Sequence, residues 1–152
     1  MPWVHQINVS EGGVPKLPIA SAEVTEDGVV GDAHHDKVHH GGLERALCLF
    51  SLEVIETFRS EGHSVEPGSA GENLTISGMD WADMVPGTRI AIGEVVAEIT
   101  SYTSPCATNA GWFKDGDFTR MLQSWHPGES RVYARVTRPG TVVTGDEVRL
   151  LV

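Results

Sequence analysis

Seventeen glycines and eight prolines are spread along a chain of 152 residues. Both residues weaken or interrupt ladders and helices, so their spacing leaves room only for short elements. The segments between them read mostly as strands, because they alternate or are β-branched. Trp3–Val9 alternates weakly, and Ala22–Val24 and Val29–Val30 are short. Ala46–Phe50 is an apolar run, and Leu74–Ile76 follows a glycine-rich turn. Arg89–Ile92 and Val95–Thr100 flank Gly93-Glu94, which suits a hairpin turn. Val132–Thr137 alternates clearly, with Val132, Ala134 and Val136 on one face and Tyr133, Arg135 and Thr137 on the other. Glu147–Val152 closes the chain.

Helical signals are fewer. Leu52–Glu61 has Ser51 as N-cap, Glu53 in the first turn, Gly62 as C-terminal cap and a stripe of Val54, Ile55 and Phe58. A second, shorter helix is expected from Phe118 to Ser124, capped by Asp117. Many short strands with two or three short helices predict a mainly β fold, a closed or partly closed β-barrel. Strand–long helix–strand alternation is absent, which disfavours a doubly wound sheet. The length predicts one domain over residues 1–152, large enough to hold a core without staples.

Charge narrows the partners. Eleven Lys+Arg against 21 Asp+Glu give a net charge of −10. That balance argues against a general nucleic-acid binder, which needs clustered cations. The asymmetry is strong. Residues 1–110 hold 5 basic and 16 acidic side chains, whereas residues 111–152 hold 6 and 5. An anion partner is therefore expected toward the C-terminal third. The start, Met-Pro-Trp-Val-His, lacks the basic and apolar regions of a signal peptide. No apolar run approaches the roughly 20 residues of a membrane span. The expectation is a cytoplasmic protein without membrane contact.

Three clusters could carry chemistry. Four histidines, His34, His35, His39 and His40, fall between Gly31-Asp32 and Gly41-Gly42. They could ligate a metal with Asp32 and Asp36 orienting the rings, or form a polar loop bonded to the backbone. Pro67-Gly68-Ser69-Ala70-Gly71-Glu72-Asn73-Leu74 is either a structural turn or a close approach to a ligand, with Glu72 and Asn73 as polar contacts. Ser104-Pro105-Cys106-Ala107-Thr108-Asn109 places a thiol where a helical turn could open, a setting that favours a nucleophile or metal ligand. The other cysteine, Cys48, sits within Ala-Leu-Cys-Leu-Phe and reads as a small buried hydrophobe. Two cysteines outside any CxxC pair exclude a disulfide scaffold, and a zinc knuckle and a thioredoxin-like site as simple readings. Among the cations, Lys16 follows Gly12-Gly13-Val14-Pro15. Arg131 and Arg135 fall on one face of a predicted strand, as a site wall or as a solvated face.

Five motifs in order carry a resemblance. They are Asn-Val-Ser-x-Gly-Gly-Val-Pro-Lys (8–16), Gly-Asp (31–32) with His-Gly-Gly (40–42), Gly-Glu-Asn-Leu (71–74), Pro-Cys (105–106) and Pro-Gly-x-x-x-x-Gly-Asp (139–146). The chain resembles MOSC domains, including the C-terminal domain of molybdenum cofactor sulfurase, over nearly its whole length. The resemblance implies a stand-alone MOSC domain with a β-barrel-like fold and a functional Cys106. That cysteine would carry sulfur or coordinate the molybdenum of a bound molybdenum cofactor. Lys16 and Arg131 would neutralise the cofactor phosphate. His40, Gly41, Gly42, Glu72 and Asn73 would contact the pterin or a substrate. No pyridoxal phosphate is expected in this chain. A cysteine desulfurase or a redox protein would be the partner. The alternative is a non-catalytic ligand- or metal-binding module using the His34–His40 cluster. The two are told apart by whether a bound metal depends on those histidines or on Cys106.

Overall fold

The structure, a computed structural model, describes residues 1–10, 14–32 and 42–152. His34, His35, His39, His40 and Gly41 lie outside the described residues. Eleven strands are found in the described residues: β1 (Trp3–Val9), β2 (Leu17–Ile19), β3 (Ser21–Thr25), β4 (Gly28–Val29), β5 (Leu47–Ser51), β6 (Leu74–Ser77), β7 (Arg89–Ile92), β8 (Val95–Tyr102), β9 (Val132–Arg138), β10 (Gly140–Val143) and β11 (Val148–Leu151). One α-helix, α1 (Leu52–Ser60), and several short 3₁₀ turns complete them. The expected mainly β composition with few helices is what forms.

Eight strands make one mixed sheet in the order β11-β7-β8-β9-β5-β6-β1-β2, and β10-β3-β4 make a second. Every pairing in the large sheet is antiparallel except β5 with β6, where Leu49 faces Leu74. That parallel step is made by α1, which follows β5 directly and carries the chain across. One strand–helix–strand unit is therefore embedded in a meander.

The sheets do not close into a barrel, which corrects the expectation of a closed one. The reason lies in the edges of β1. One edge is taken by β6 from Trp3 to Ile7. The other is taken by the three-residue β2 from Ile7 to Val9. Only the first residues of β1 remain for the far end of the sheet. A single bridge, Trp3 to Glu147, forms there. It is flanked by Val4 N–H on Asp146 O (2.8 Å) and Gly145 N–H on Val4 O (2.8 Å).

Local chemistry explains the elements that were expected. The Ser51 hydroxyl accepts from Val54 N–H (3.2 Å) at the start of α1. Gly62 takes φ +93° after its end, a conformation that favours glycine. Val54, Ile55 and Phe58 are the buried face of α1. Phe58 meets Phe50 and Phe113 with ring centroids 6.0 and 5.7 Å away. Gly93-Glu94 makes the hairpin between β7 and β8, with Ile92 facing Val95. The expected helix over 118–124 shortens to a 3₁₀ turn over Phe118–Met121, in which the side chain of Asp117 caps no backbone N–H. The Asp117 carboxylate accepts instead from the Thr119 hydroxyl.

The segment after Cys106 packs on Phe58 and on the C-terminal end of α1, through Phe113, Arg120 and the Ser64 N–H bond to Trp112 O. Arg120 pins this segment. It binds Glu61 through Nε and Nη2 (2.8 and 2.9 Å) and Glu129 through Nη1 and Nη2 (both 3.1 Å). Its guanidinium stands 4.7 Å from the ring centroid of Phe58.

Candidate functional site

The site is built where β5, β8 and β9 lie side by side. Antiparallel partners point to one face. Cys48 on β5 is the partner of Tyr133 on β9. Thr103, just past β8, donates its N–H to Arg131 O (2.9 Å). Arg131 stands two residues before Tyr133, so both side chains share that face. The Cys48 sulfur lies 3.8 Å from the Thr103 hydroxyl. One face of the sheet thus presents Cys48, Thr103, Arg131 and Tyr133. Arg45 covers Tyr133, its guanidinium carbon 5.4 Å from the ring centroid.

Asn73 joins this face to the loops. Its Oδ1 accepts from Cys48 N–H (2.9 Å), and its own N–H donates to Cys48 O (2.7 Å). Its Nδ2 donates to Asp32 Oδ2 (2.8 Å). Asp32 also receives Lys16 Nζ on both oxygens (2.7 and 2.8 Å) and Ser10 N–H (2.9 Å). Lys16 is 6% exposed. Its charge is met inside the protein, and three segments of chain converge on one carboxylate. Burial of an ion pair costs desolvation on both sides, which this many hydrogen bonds offset.

Glu72 lies beneath the loop rather than at its surface. It is 0% exposed. Its Oε2 accepts from Gly68 N–H (3.0 Å) and from the Thr75 hydroxyl (2.9 Å). Its Oε1 has no hydrogen-bond partner among the described residues. Burial pushes its carboxyl above the usual carboxylate range. Gly68 adopts φ +87°, and a Cβ there would run into the carbonyl oxygen of Lys16. The glycine-rich turn is therefore needed to bring Glu72 and Lys16 under one loop.

The second cation is arranged differently. Arg131 is 3% exposed. Nη1 donates to Ala70 O (2.8 Å) and Nη2 to Ser104 O (3.3 Å). Asn109 Nδ2 reaches the same Ala70 O (3.3 Å). Arg131 Nε and Asn109 Oδ1 have no partner among the described residues. No ion pair to Arg131 occurs there either. This guanidinium thus stands beside the Cys106 loop without a salt bridge among the described residues, with the buried Glu72 near enough to feel its charge. Arg135, expected on the same wall, is half-exposed and pairs with Glu98 (3.2 Å).

Cys106 is extended (φ −138°, ψ 163°) and precedes a 3₁₀ turn over Ala107–Trp112. Its carbonyl accepts from Asn109 N–H (3.0 Å). Its sulfur is partly exposed and 2.8 Å from the Thr108 hydroxyl. Cys48, by contrast, is 7% exposed. Burial pushes its thiol up, against the opposing pull of Arg131. Tyr133 is pushed up to about 12, mainly by burial.

The structure brings Lys16, Asn73 and Cys48 into one network. Arg131, Ala70 and the Cys106 loop form a second beside it. Gly42 (φ +88°) leads into the turn that carries Arg45. Sequence reasoning did not find Thr103, Tyr133 or Arg45, whereas its reading of Cys48 as a small buried residue holds, at 7% exposure. Only the pairing of Cys48 with Tyr133 reveals the shared face, and pairing is not a local signal. No group of three or more metal-type ligands occurs among the described residues. A cavity of about 190 Å³ lined by Trp81, Met84, Tyr102, Ser130 and Val132 contains none of the expected site residues.

The model of the MOSC domain family matches residues 36–149. The uncharacterized protein YflK of Bacillus subtilis is 30% identical over 145 residues, covering 93% of this chain and 64% of YflK. Protein YiiM of Escherichia coli is 28% identical over 105 residues, covering 66% of this chain and 47% of YiiM. The chain thus spans less than two thirds of the length of either relative. Among solved structures, YiiM from Geobacillus stearothermophilus has a TM-score of 0.76 at 21% identity, with 100% of this chain and 76% of that one covered. The YUAD protein from Bacillus subtilis has a TM-score of 0.72 at 19% identity, with 97% and 94% covered. The family match over most of the chain, with one fold shared from end to end, places the chain in the MOSC domain family.

Proposed function

We propose that the chain handles sulfur, or binds the molybdenum cofactor, through Cys106. MOSC domains are linked in general to molybdenum cofactor binding and sulfur handling. The observation that carries the proposal is the partly exposed Cys106 sulfur on a loop fixed beside a buried guanidinium with no carboxylate partner among the described residues. A thiolate is a soft donor suited to molybdenum, and is also the attacking species in sulfur exchange. The donor set therefore fits the group that the family implies.

In the carrier branch, the Cys106 thiolate attacks the outer sulfur of a persulfide on a cysteine desulfurase. The donor's S–S bond breaks, the donor thiolate leaves, and Cys106 becomes the persulfide. In the cofactor branch, Cys106 would hold the molybdenum. Arg131 would supply positive charge toward the cofactor phosphate, whereas Lys16, its charge met by Asp32, would hold the loops around it. His40, Gly41, Gly42 and Asn73 would contact the pterin, and Glu72 would support the loop from below. Bound molybdenum supplies two-electron chemistry, suited to reducing an N-hydroxylated compound. Such a reduction would break the N–O bond with two electrons from a redox partner and two protons, releasing water.

The test is incubation of the purified protein with a cysteine desulfurase and cysteine, and separately with a source of molybdenum cofactor. Mass spectrometry and metal analysis follow. A persulfide on Cys106, or molybdenum that is lost in Cys106→Ser, supports the proposal. Absence of both overturns it.

A further inference from the structure

Two groups hold the residues around Cys106 before any ligand is considered. Arg131 grips Ser104 O, two residues before the cysteine, and Ala70 O of the glycine-rich turn. Asn109, three residues after Cys106, is tied to that same Ala70 O. The backbone from Ser104 to Asn109 is therefore anchored at both ends, and Cys106 between them is extended and partly exposed. What remains to be set is the direction of the sulfur. The only side-chain hydrogen bond to it among the described residues is the 2.8 Å contact with the exposed Thr108 hydroxyl.

We propose that Thr108 is a positioning residue for the Cys106 sulfur, a role that rests on Cys106 being the reactive group of the site. A thiol can donate to the threonine oxygen. A thiolate can only accept, so the hydroxyl rotates and donates to the anion. The hydrogen bond then fixes the direction of the sulfur toward an incoming electrophile, whether a sulfur donor or a carbon reagent. Thr108 touches neither substrate nor cofactor in this role and acts through the cysteine. Because it is exposed, its removal leaves no buried polar group behind.

The experiment compares wild type with Thr108→Val, which keeps the shape and removes the hydroxyl, and Thr108→Ser, which keeps the hydroxyl. The probe is iodoacetamide at pH 7. The rate of modification at Cys106 is read by peptide mass spectrometry, and thermal unfolding is recorded in parallel. Thr108→Val is expected to react about fivefold more slowly, the effect of one ordinary hydrogen bond. Thr108→Ser is expected to react within about twofold of wild type, and all three proteins to unfold alike. A valine variant as fast as wild type, or a serine variant as slow as the valine, overturns the proposal. Alkylation needs neither a sulfur donor nor molybdenum. Failure of Cys106 to load sulfur or metal would therefore overturn the proposed function alone, and an unchanged alkylation rate would overturn the role of Thr108 alone.

Discussion

Two neighbouring regions each hold one cysteine and one cation, and they are built on opposite principles. Around Asp32, Lys16 Nζ, Ser10 N–H and Asn73 Nδ2 all donate to one carboxylate, and Asn73 passes the connection to the backbone of Cys48. The charges cancel there. Around Arg131 the guanidinium holds two carbonyls, and Arg131 Nε and Asn109 Oδ1 are left without partners among the described residues. No salt bridge meets the guanidinium among the described residues, and the cysteine is partly exposed. A saturated polar network fixes geometry and resists change, whereas an unsaturated one beside an accessible sulfur is equipped to act on something else. The difference teaches that residue type alone does not assign a role. Cys48 and Lys16 belong to the saturated network, and Cys106 and Arg131 to the one with unpaired polar atoms.

The strongest way to break this contrast is to exchange the roles of the cysteines. Cys106→Ser is expected to abolish persulfide formation from a cysteine desulfurase, whereas Cys48→Ala should retain most of it. Mass spectrometry of each variant after loading decides. Equal loss in both would merge the two regions into one site.

Next in size is the buried ion pair. Lys16→Met removes the cation and leaves the Asp32 carboxylate, 3% exposed in its side chain, without its partner. A loss of about 3–5 kcal/mol in unfolding free energy is expected from urea denaturation. A loss under about 1 kcal/mol would mean that Lys16 is not part of the frame.

Glu72 sharpens the contrast through pH. Its carboxyl binds a proton more tightly in the folded state than in the unfolded one. Between the unfolded value and the raised folded value, the folded protein holds more protons, so stability falls as pH rises. Glu72→Gln removes that dependence. The stability of the glutamine variant relative to wild type should therefore increase as pH rises above about 4.3. A difference that is flat with pH would place the folded carboxyl at its ordinary value.

The smallest effect is expected at Thr103. Its hydroxyl touches the Cys48 sulfur at 3.8 Å, a weak contact. Thr103→Val should change unfolding free energy by less than about 1 kcal/mol.

Much of this molecule was legible locally. Helix α1 could be read from Ser51, the Val54–Ile55–Phe58 stripe and Gly62, because caps and periodicity are set within a few residues. The core face of β9, with Val132, Ala134 and Val136, followed from alternation alone. The helical turn after Pro105-Cys106 was legible as well, and forms over Ala107–Trp112. Barrel closure was not, since it depended on whether three residues of β2 would occupy an edge of β1. The place of Cys48 was not legible either. Its neighbours in sequence are all apolar, and only the pairing with Tyr133, 85 positions away by residue number, turns its side chain toward Thr103 and Arg131. The Asp32 network has the same character, joining Ser10, Lys16 and Asn73 across three separate segments.

The most direct measurement puts both cysteines in one tube. Native protein is treated with a limiting amount of iodoacetamide, and the label on the Cys48 and Cys106 peptides is followed over time. Cys106 is expected to be labelled at least about a hundredfold faster, because Cys48 reacts only when the protein opens locally. Comparable rates at the two thiols would contradict the division of the site into a saturated frame and a reactive face.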